Sequence, residues 1–391
     1  MNSSAAPPSS EQAPAARAPR NEAALDKEPP PCSATCGPAA PRPARGILVL
    51  YSQSDTPGQL APREGLADAE TVATAQAVFE VLRQHTDVDV QLVAAAQHVE
   101  RKLKAFPSQD YVVFNLFEGV DGLVREDADD PLDEEARTAL TLKELGYRFT
   151  GADDCALALA VNKGQAKAAL EAGGVLTPPW RVFACGDEVS EASLAGVPFP
   201  VIVKPVAEDS SLGIDGNAVV SDLATLRDRV AHITADYRQS ALVEAFIDGR
   251  EINAALWGDP PQVLPLAEVS LSDLGAPEKR IVSFAAKWEE DSFEYKHTPV
   301  TCPAQLPREL AERIRTTALR AWQITGCRGG YARVDMRVRG EEVYVLEVNP
   351  NPSIAPDAGF ANCARAAGFD YPHMILHILS MTGEDLHVYH S

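Results

Sequence analysis

The sequence predicts an α/β protein, α+β in part. Two observations point there. Short apolar runs alternate with helical stretches through the first third of the ordered chain, and two segments near the C-terminus alternate apolar and polar residues with period two around a glycine turn. With 391 residues, 45% of them hydrophobic, the chain can bury enough surface for two or three domains.

Residues 1–45 are rich in Ala, Pro and Ser, so they cannot bury enough surface to offset the entropy of ordering, and a disordered tail is expected. A first domain, 46–152, opens on the apolar run Gly46 to Tyr51. A helix near Asp68 to Gln84, a strand Val88 to Val93, a helix near Val99 to Phe106 and a strand Tyr111 to Leu116 follow, the pattern of a parallel sheet. Such sheets bind ligands beyond their strand ends, where Phe117-Glu118-Gly119 stands. An acidic loop, Glu126 to Glu135, and a helix, Ala136 to Leu145, complete the domain.

A small α+β domain, 153–240, is expected from a helix at Asn162 to Ala172 and strands at Trp180 to Phe183, Pro200 to Lys204 and Asn217 to Ser221. A third, 241–391, begins with strands at Leu242 to Phe246 and Glu251 to Trp257 and ends in a helix.

The hairpin from Tyr331 to Asn349 carries the chemistry. With a turn centred on Glu341, Asp335 faces Glu347 and Arg333 faces Asn349, all on one side, while Val334, Met336, Val338, Tyr344, Leu346 and Val348 form an apolar stripe on the other. Asp, Glu and Asn together offer the oxygen ligands that Mg²⁺ or Mn²⁺ prefers, and Arg333 beside them suits a developing oxyanion. The alternative is an exposed hairpin with cross-strand charge pairs. Asn349-Pro350-Asn351-Pro352 argues against it, because two close prolines end the strand in a shaped loop.

Lys204 ends an apolar strand, where an ammonium needs an anionic partner. The loop Glu208 to Gly216, with Ser210 and Ser211, has the small residues that let backbone amides approach a phosphate, although a hairpin turn with a structural Lys/Asp pair explains it equally well. Lys163 opens a helix, a position that favours anions, though a surface lysine is its default reading.

The formal net charge of −21 repels nucleic acid and anionic membranes, so neither is an expected partner. No apolar run is long enough to span a bilayer, the N-terminus has no apolar signal core, and the seven scattered cysteines read as reduced thiols, so a cytoplasmic location is expected. His373 and His377 share a helical face, but no glutamate follows the first as in a zinc protease. Neither a Gly-x-Ser-x-Gly elbow nor a Walker-type loop is present.

In order, Asn162-Lys163, Val201 to Pro205, Ser210 to Gly213, Leu242 to Phe246, Glu251, Lys287 and Arg333 to Asn349 resemble the D-alanine–D-alanine ligase family of ATP-grasp enzymes, over roughly Gly46 to Met381. The resemblance implies an ATP-grasp fold with an N-terminal Rossmann-like domain, a small central α+β domain and a C-terminal antiparallel-sheet domain. It implies an ADP-forming ligase that joins a carboxylate and an amine through an acyl phosphate, using ATP and two Mg²⁺ ions, as a homodimer. Lys163, Lys204 and Ser211 take phosphate-side positions, Glu244 with the backbone of Ala245 and Phe246 the adenine side, and Glu251 the ribose. Lys287 lies on a mobile loop, Ser270 to Lys296, and Ser210 orients either that loop or a substrate. Asp335, Glu347 and Asn349 match the metal ligands and Arg333 the arginine at the tetrahedral intermediate.

The segments that would recognise substrates depart from the family. Phe117-Glu118-Gly119 replaces a His-Gly pair, Trp288 stands where a tyrosine is common, and Pro350-Asn351-Pro352-Ser353 leads to Pro356-Asp357-Ala358 in place of Thr-Ser-Pro-Gly. Glu118, Ser353 and Asp357 are therefore the expected substrate-side residues, with substrates other than D-alanine, and Asp357 either faces a cationic group or caps a turn. A small-molecule kinase on the same fold, or a nucleotide-binding regulatory module, are the competing functions.

Overall fold

A computed structural model describes residues 44–53, 64–96, 98–119 and 132–383. The N-terminal tail and most of the acidic loop expected at Glu126 to Glu135 lie outside the described residues.

The first sheet is parallel, in the order β2-β1-β3-β4, from β1 (Gly46–Ser52), β2 (Asp89–Ala95), β3 (Tyr111–Leu116) and β4 (Arg148–Phe149). Helices α1 (Glu64–His85), α2 (Val99–Leu103) and α3 (Glu134–Glu144) connect its strands. The strands are apolar because both faces are covered: Ile47, Val49, Val112 and Phe114 pack in one cluster, Leu48, Leu50 and Val113 in another. Asp133 begins α3 by accepting from the Ala136 amide at 2.7 Å.

Next come α4 (Asp154–Val161) and α5 (Lys163–Ala172), the latter capped by Asn162, which accepts from Gln165 N. The sequence reading found α5 but not α4. A second sheet, antiparallel in the order β5-β8-β6-β7, holds β5 (Trp180–Phe183), β6 (Val201–Pro205), β7 (Val219–Val220) and β8 (Ala241–Ala245), with α6 (Leu223–Asp236) packed on it.

The third sheet is antiparallel: β12-β11-β9-β13-β14, with β10 on β9. Its strands are β9 (Arg250–Trp257), β10 (Gln262–Val263), β11 (Ala267–Val269), β12 (Val300–Thr301), β13 (Tyr331–Arg339) and β14 (Glu342–Pro350). The short helices α7 (Phe284–Trp288) and α8 (Phe293–Lys296) lie in the long connection before β12. Helix α9 (Arg308–Thr325) buries Ile314, Ala318, Ala321, Trp322 and Thr325, one helical face, and ends at Gly326 with φ 77°. Helices α10 (Gly359–Ala366) and α11 (Tyr371–Ser380) close the chain, packing with β1 and α1 around Trp257 and Phe360.

The hairpin register is the expected one at its functional end: Arg333 pairs with Asn349 and Asp335 with Glu347. Beyond them a bulge leaves Leu346 unpaired, so Met336 meets Val345 and Val338 meets Val343. This corrects the apolar stripe. Val343 and Val345 enter the core with Val334, Met336, Val338 and Val348, whereas Tyr344 turns to the opposite side, where its hydroxyl meets Arg339. One extra residue reverses the alternation for the rest of the strand.

The free cysteines among the described residues are Cys185, Cys302, Cys327 and Cys363, but Cys155 is disulfide-bonded, against the expectation of thiols throughout. No helix among the described residues is long and apolar enough to cross a membrane.

Candidate active site

Strand β13 lies at the centre of the third sheet and presents Arg333, Asp335 and Arg337 on one face by simple alternation. Asp335 is buried and heavily bonded. Its Oδ1 accepts from Arg333 Nε and Asn253 Nδ2, both at 2.7 Å, and its Oδ2 from Arg333 Nη2 at 2.8 Å and Asn349 Nδ2 at 2.9 Å. Asn253 is the residue opposite Asp335 on β9, and the sequence reading missed it. Its signal was available, since it follows Glu251 by two positions on the same strand face.

Glu347 is different. Among the described residues its one close partner is Lys163 Nζ, at 4.0 Å. Burial opposes its ionisation, but Lys163, Lys204, Arg333 and Lys287 outweigh that and hold the carboxyl at about 2. Four cations from α5, β6, β13 and the loop before β12 thus converge on one carboxylate.

Lys163 is buried at the start of α5 and donates to the Glu208 carbonyl of the small-residue loop, with Asp209 Oδ1 at 3.5 Å. Lys204 is the penultimate residue of β6, one short of the strand end expected for it, with the buried Glu244 carboxylate at 2.8 Å. Burial opposes the charge on Lys204, yet Glu244 and Glu347 raise its pKa above the ordinary value. The amides of Ala245 and Phe246 are occupied by the carbonyls of Pro179 (2.8 Å) and Pro200 (2.9 Å), so these two N–H groups serve the frame rather than a base. Glu251 pairs with Arg337, whose Nε and Nη2 lie 2.8 and 2.7 Å from Oε2. Burial raises the Glu251 pKa while Arg337 opposes the rise. Arg337 also donates to the carbonyls of Ile247, Gly249 and Arg280, joining β9, the turn before it and the long loop. The sequence reading did not single it out.

The segment Glu208 to Gly216 turns sharply. Ser210 and Ser211 adopt φ of 55° and 61°, and Gly213, at φ 75°, would place a Cβ 2.6 Å from Pro205 Cδ. It is fastened to the loop carrying Lys287: Ser211 Oγ donates to Val282 O at 3.0 Å, Trp288 Nε1 to Ser210 O at 3.0 Å, Lys279 Nζ to Gly216 O at 2.7 Å, and Phe284 N to Ile214 O at 2.9 Å. Ser210 thus meets the loop through its backbone carbonyl. Although the Lys287 side chain is exposed, desolvation by the protein around its ammonium group and the neighbouring Arg333 lower its pKa, with Glu70, Asp209 and Glu347 acting in the other direction.

Acidic residues from other segments gather near Lys287. Glu118 lines the cleft at the end of β3 and accepts from Thr71 Oγ1 at 3.1 Å; the surrounding protein pushes its carboxyl up to about 7. Glu135 is held well above the usual carboxylate range by burial and by Asp133. Asn351, at φ 47°, donates to Glu135 at 2.9 Å and accepts from Ala152 N at 2.8 Å, so the proline-flanked turn is shaped as expected. Ser353 Oγ donates to Glu70 at 2.7 Å. Asp357 does not join this group. It is exposed in the turn before α10, where its carbonyl accepts from Asn362.

The donors fit a hard divalent cation in kind. Two carboxylates, Asp335 and Glu347, and the amide oxygen of Asn349 are brought to one end of a hairpin beside three lysines, and the Glu347 oxygens are uncommitted to any hydrogen bond among the described residues.

Residues 170–380, more than half the chain, match the family model described as "D-ala D-ala ligase C-terminus". The D-alanine–D-alanine ligase of Desulforudis audaxviator is 35% identical over 65% of this chain and 79% of its own length. An uncharacterized protein of Sinorhizobium fredii, y4sG, is 33% identical over 86% of this chain and 93% of its own. Among solved structures, the D-alanine–D-alanine ligase of Bacillus anthracis in complex with ATP superposes with a TM-score of 0.63 at 19% identity, covering 87% of this chain and 97% of that one. A second structure of that protein gives a TM-score of 0.66 at 21% identity. The parallel sheet and the two antiparallel sheets are those of an ATP-grasp fold, and the chain belongs to the D-alanine–D-alanine ligase-like family.

Proposed function

We propose that this protein is an ATP- and Mg²⁺-dependent carboxylate–amine ligase, ADP-forming, that makes an amide bond through an acyl phosphate. The observation that carries the reading is the convergence of Lys163, Lys204, Lys287 and Arg333 on Glu347, next to Asp335. A nucleoside triphosphate needs such a setting, in which cationic side chains, and the metal ions that the carboxylates would hold, offset its negative charge.

The substrate carboxylate oxygen attacks the terminal phosphorus and ADP leaves. The amine then attacks the acyl carbon, and inorganic phosphate leaves as the amide forms. Lys163 and Lys204 hold the phosphates and Lys287 covers the terminal one. Asp335, Glu347 and Asn349 are the residues to hold Mg²⁺, which when bound supplies charge neutralisation at the transferring phosphoryl group. Arg333, oriented by Asp335, offers its guanidinium to the oxyanion of the tetrahedral intermediate. The loop fastened over Ser210 to Gly216 keeps water from the acyl phosphate.

Glu118, Glu135 and the Ser353–Glu70 pair suit the ammonium end of an amino acid. The departures at Glu118 and Ser353 favour substrates other than two D-alanines. A cytoplasmic homodimer is the working state that fits this chemistry.

The test is a screen of amino acids, singly and in pairs, for ADP release with Mg²⁺, recording product masses and hydroxylamine trapping. A ligase gives an amide and, with hydroxylamine, a hydroxamate. A phosphate ester as sole product, indifferent to hydroxylamine, would overturn the reading in favour of a kinase.

A further inference from the structure

Lys167 is the most deeply buried lysine of the cleft, 1% exposed, and none of the chemistry above uses it. It lies one helical turn beyond Lys163 on α5, so both ammonium groups leave the same helix face toward the nucleotide side. Its Nζ is 2.6 Å from Glu244 Oε2, an ion pair rather than an aligned hydrogen bond, and donates to Thr177 Oγ1 at 2.7 Å. The other Glu244 oxygen, Oε1, is 2.8 Å from Lys204 Nζ. One carboxylate, 2% exposed, is therefore shared by two lysines; burial lowers the Lys167 pKa while Glu244 acts to raise it, and with both ammonium groups protonated the triad carries a net positive charge.

A buried lysine is costly unless paired, and a single lysine would have sufficed to pair Glu244. Without Lys167, Glu244 and Lys204 would form a closed neutral pair. With it, the carboxylate is already balanced and the second ammonium carries the surplus charge. Lys204 is the penultimate residue of β6, with three residues between it and the loop that begins at Glu208, which puts that surplus on the side where the nucleotide reading places the phosphates.

We propose that Lys167 is a positioning residue for the nucleotide: by neutralising Glu244 it leaves the charge of Lys204 available to the phosphate groups. This rests on the ATP reading given above and adds a residue and a charge balance to it. Lys167 touches neither base nor phosphate. It acts through Glu244.

The experiment measures ADP affinity by calorimetric titration of the full chain in Mg²⁺, for wild type, Lys167→Met, Glu244→Gln, the Lys167→Met/Glu244→Gln double variant and Thr177→Val. Wild type that fails to bind ADP would overturn the nucleotide reading itself. Given binding, Lys167→Met is expected to weaken ADP roughly tenfold or more, the scale of one lost charge interaction in a partly screened site. The double variant is expected to bind within about threefold of Glu244→Gln, because a neutral residue at 244 leaves Lys167 nothing to balance. Thr177→Val, which removes the hydrogen bond but keeps the charge, is expected to stay near wild type. A double variant weakened relative to Glu244→Gln as much as Lys167→Met is relative to wild type would overturn the proposal, as would an unchanged Lys167→Met. The comparison of Glu244→Gln with the double variant holds even if Lys167→Met does not fold.

Discussion

Arg333 and Asp335 stand two residues apart on one face of β13 and form a two-pronged ion pair, Nε to Oδ1 at 2.7 Å and Nη2 to Oδ2 at 2.8 Å. The pair couples the group proposed for the oxyanion to a residue proposed for the metal. Loss of the aspartate therefore frees the arginine as well as removing a ligand, so an Asp335 variant reports on two functions together. Glu347, which shares no hydrogen bond with Arg333 among the described residues, is the cleaner probe.

Glu347→Gln keeps the side-chain volume and removes the negative charge on which four cations converge. ADP release is expected to fall by about 10²-fold or more, while circular dichroism and the thermal midpoint show a folded protein. ADP release at the wild-type rate would count directly against the metal assignment.

Arg337→Met strands the Glu251 carboxylate, which is 8% exposed. Removing one partner of a buried pair costs about 3 kcal/mol or more, to be read as a lower midpoint in urea. KM for ATP is expected to rise more than kcat falls, since Glu251 is placed at the ribose. Adding Glu251→Gln should recover stability without recovering the KM; recovery of both would remove Glu251 from the nucleotide site.

The Glu118 carboxyl, held up to about 7, is neutral below that pH and charged above it. An ammonium-bearing substrate prefers the charged form, so its KM is expected to fall as pH rises through about 7. Glu118→Gln should flatten that dependence. The linked stability effect has the opposite sign: the raised carboxyl favours the folded state fully below its ordinary 4.5, and this contribution is lost as pH rises through about 7. Parallel pH profiles for Glu118→Gln and wild type would exclude this carboxylate from substrate binding.

Trp288→Phe removes the donor to the Ser210 carbonyl and keeps an aromatic ring. The roof over the acyl phosphate is then less firmly held, and ADP formed per amide bond should rise several-fold as water captures the intermediate. ADP and amide measured in the same reaction give the ratio; a ratio equal to wild type would show that this bond does not secure the loop.

Much of the site was legible because strands alternate with period two, but the pairing of Asp335 with Glu347 arises differently from the expected turn centred on Glu341. Arg339 pairs with Glu342, so the turn is centred between Gly340 and Glu341, and the extra residue at Leu346 restores the expected register. The parallel sheet was legible for a different reason, since strands covered on both faces read as apolar runs, and strand Tyr111–Leu116 falls where its apolar run places it. What escaped depended on distance in sequence. Asn253 reaches Asp335 across 82 residues and Arg337 reaches Glu251 across 86, and neither strand alone reveals which neighbour it acquires. Tyr344 was misplaced because a bulge leaves no compositional mark, whereas Asp357 was read from its chemistry and proves to sit in an exposed turn.

The extra residue at Leu346 divides the hairpin into two stretches that follow separate phases. Toward Pro350 the strand keeps step with the carboxylates; toward Gly340 it answers to the valines beneath it and to Arg313, which donates to the Glu341 carbonyl. The tip can therefore change length without transmitting a shift to Asp335 or Glu347. It is the place on this sheet where an inserted peptide or reporter would leave the reaction centre in register.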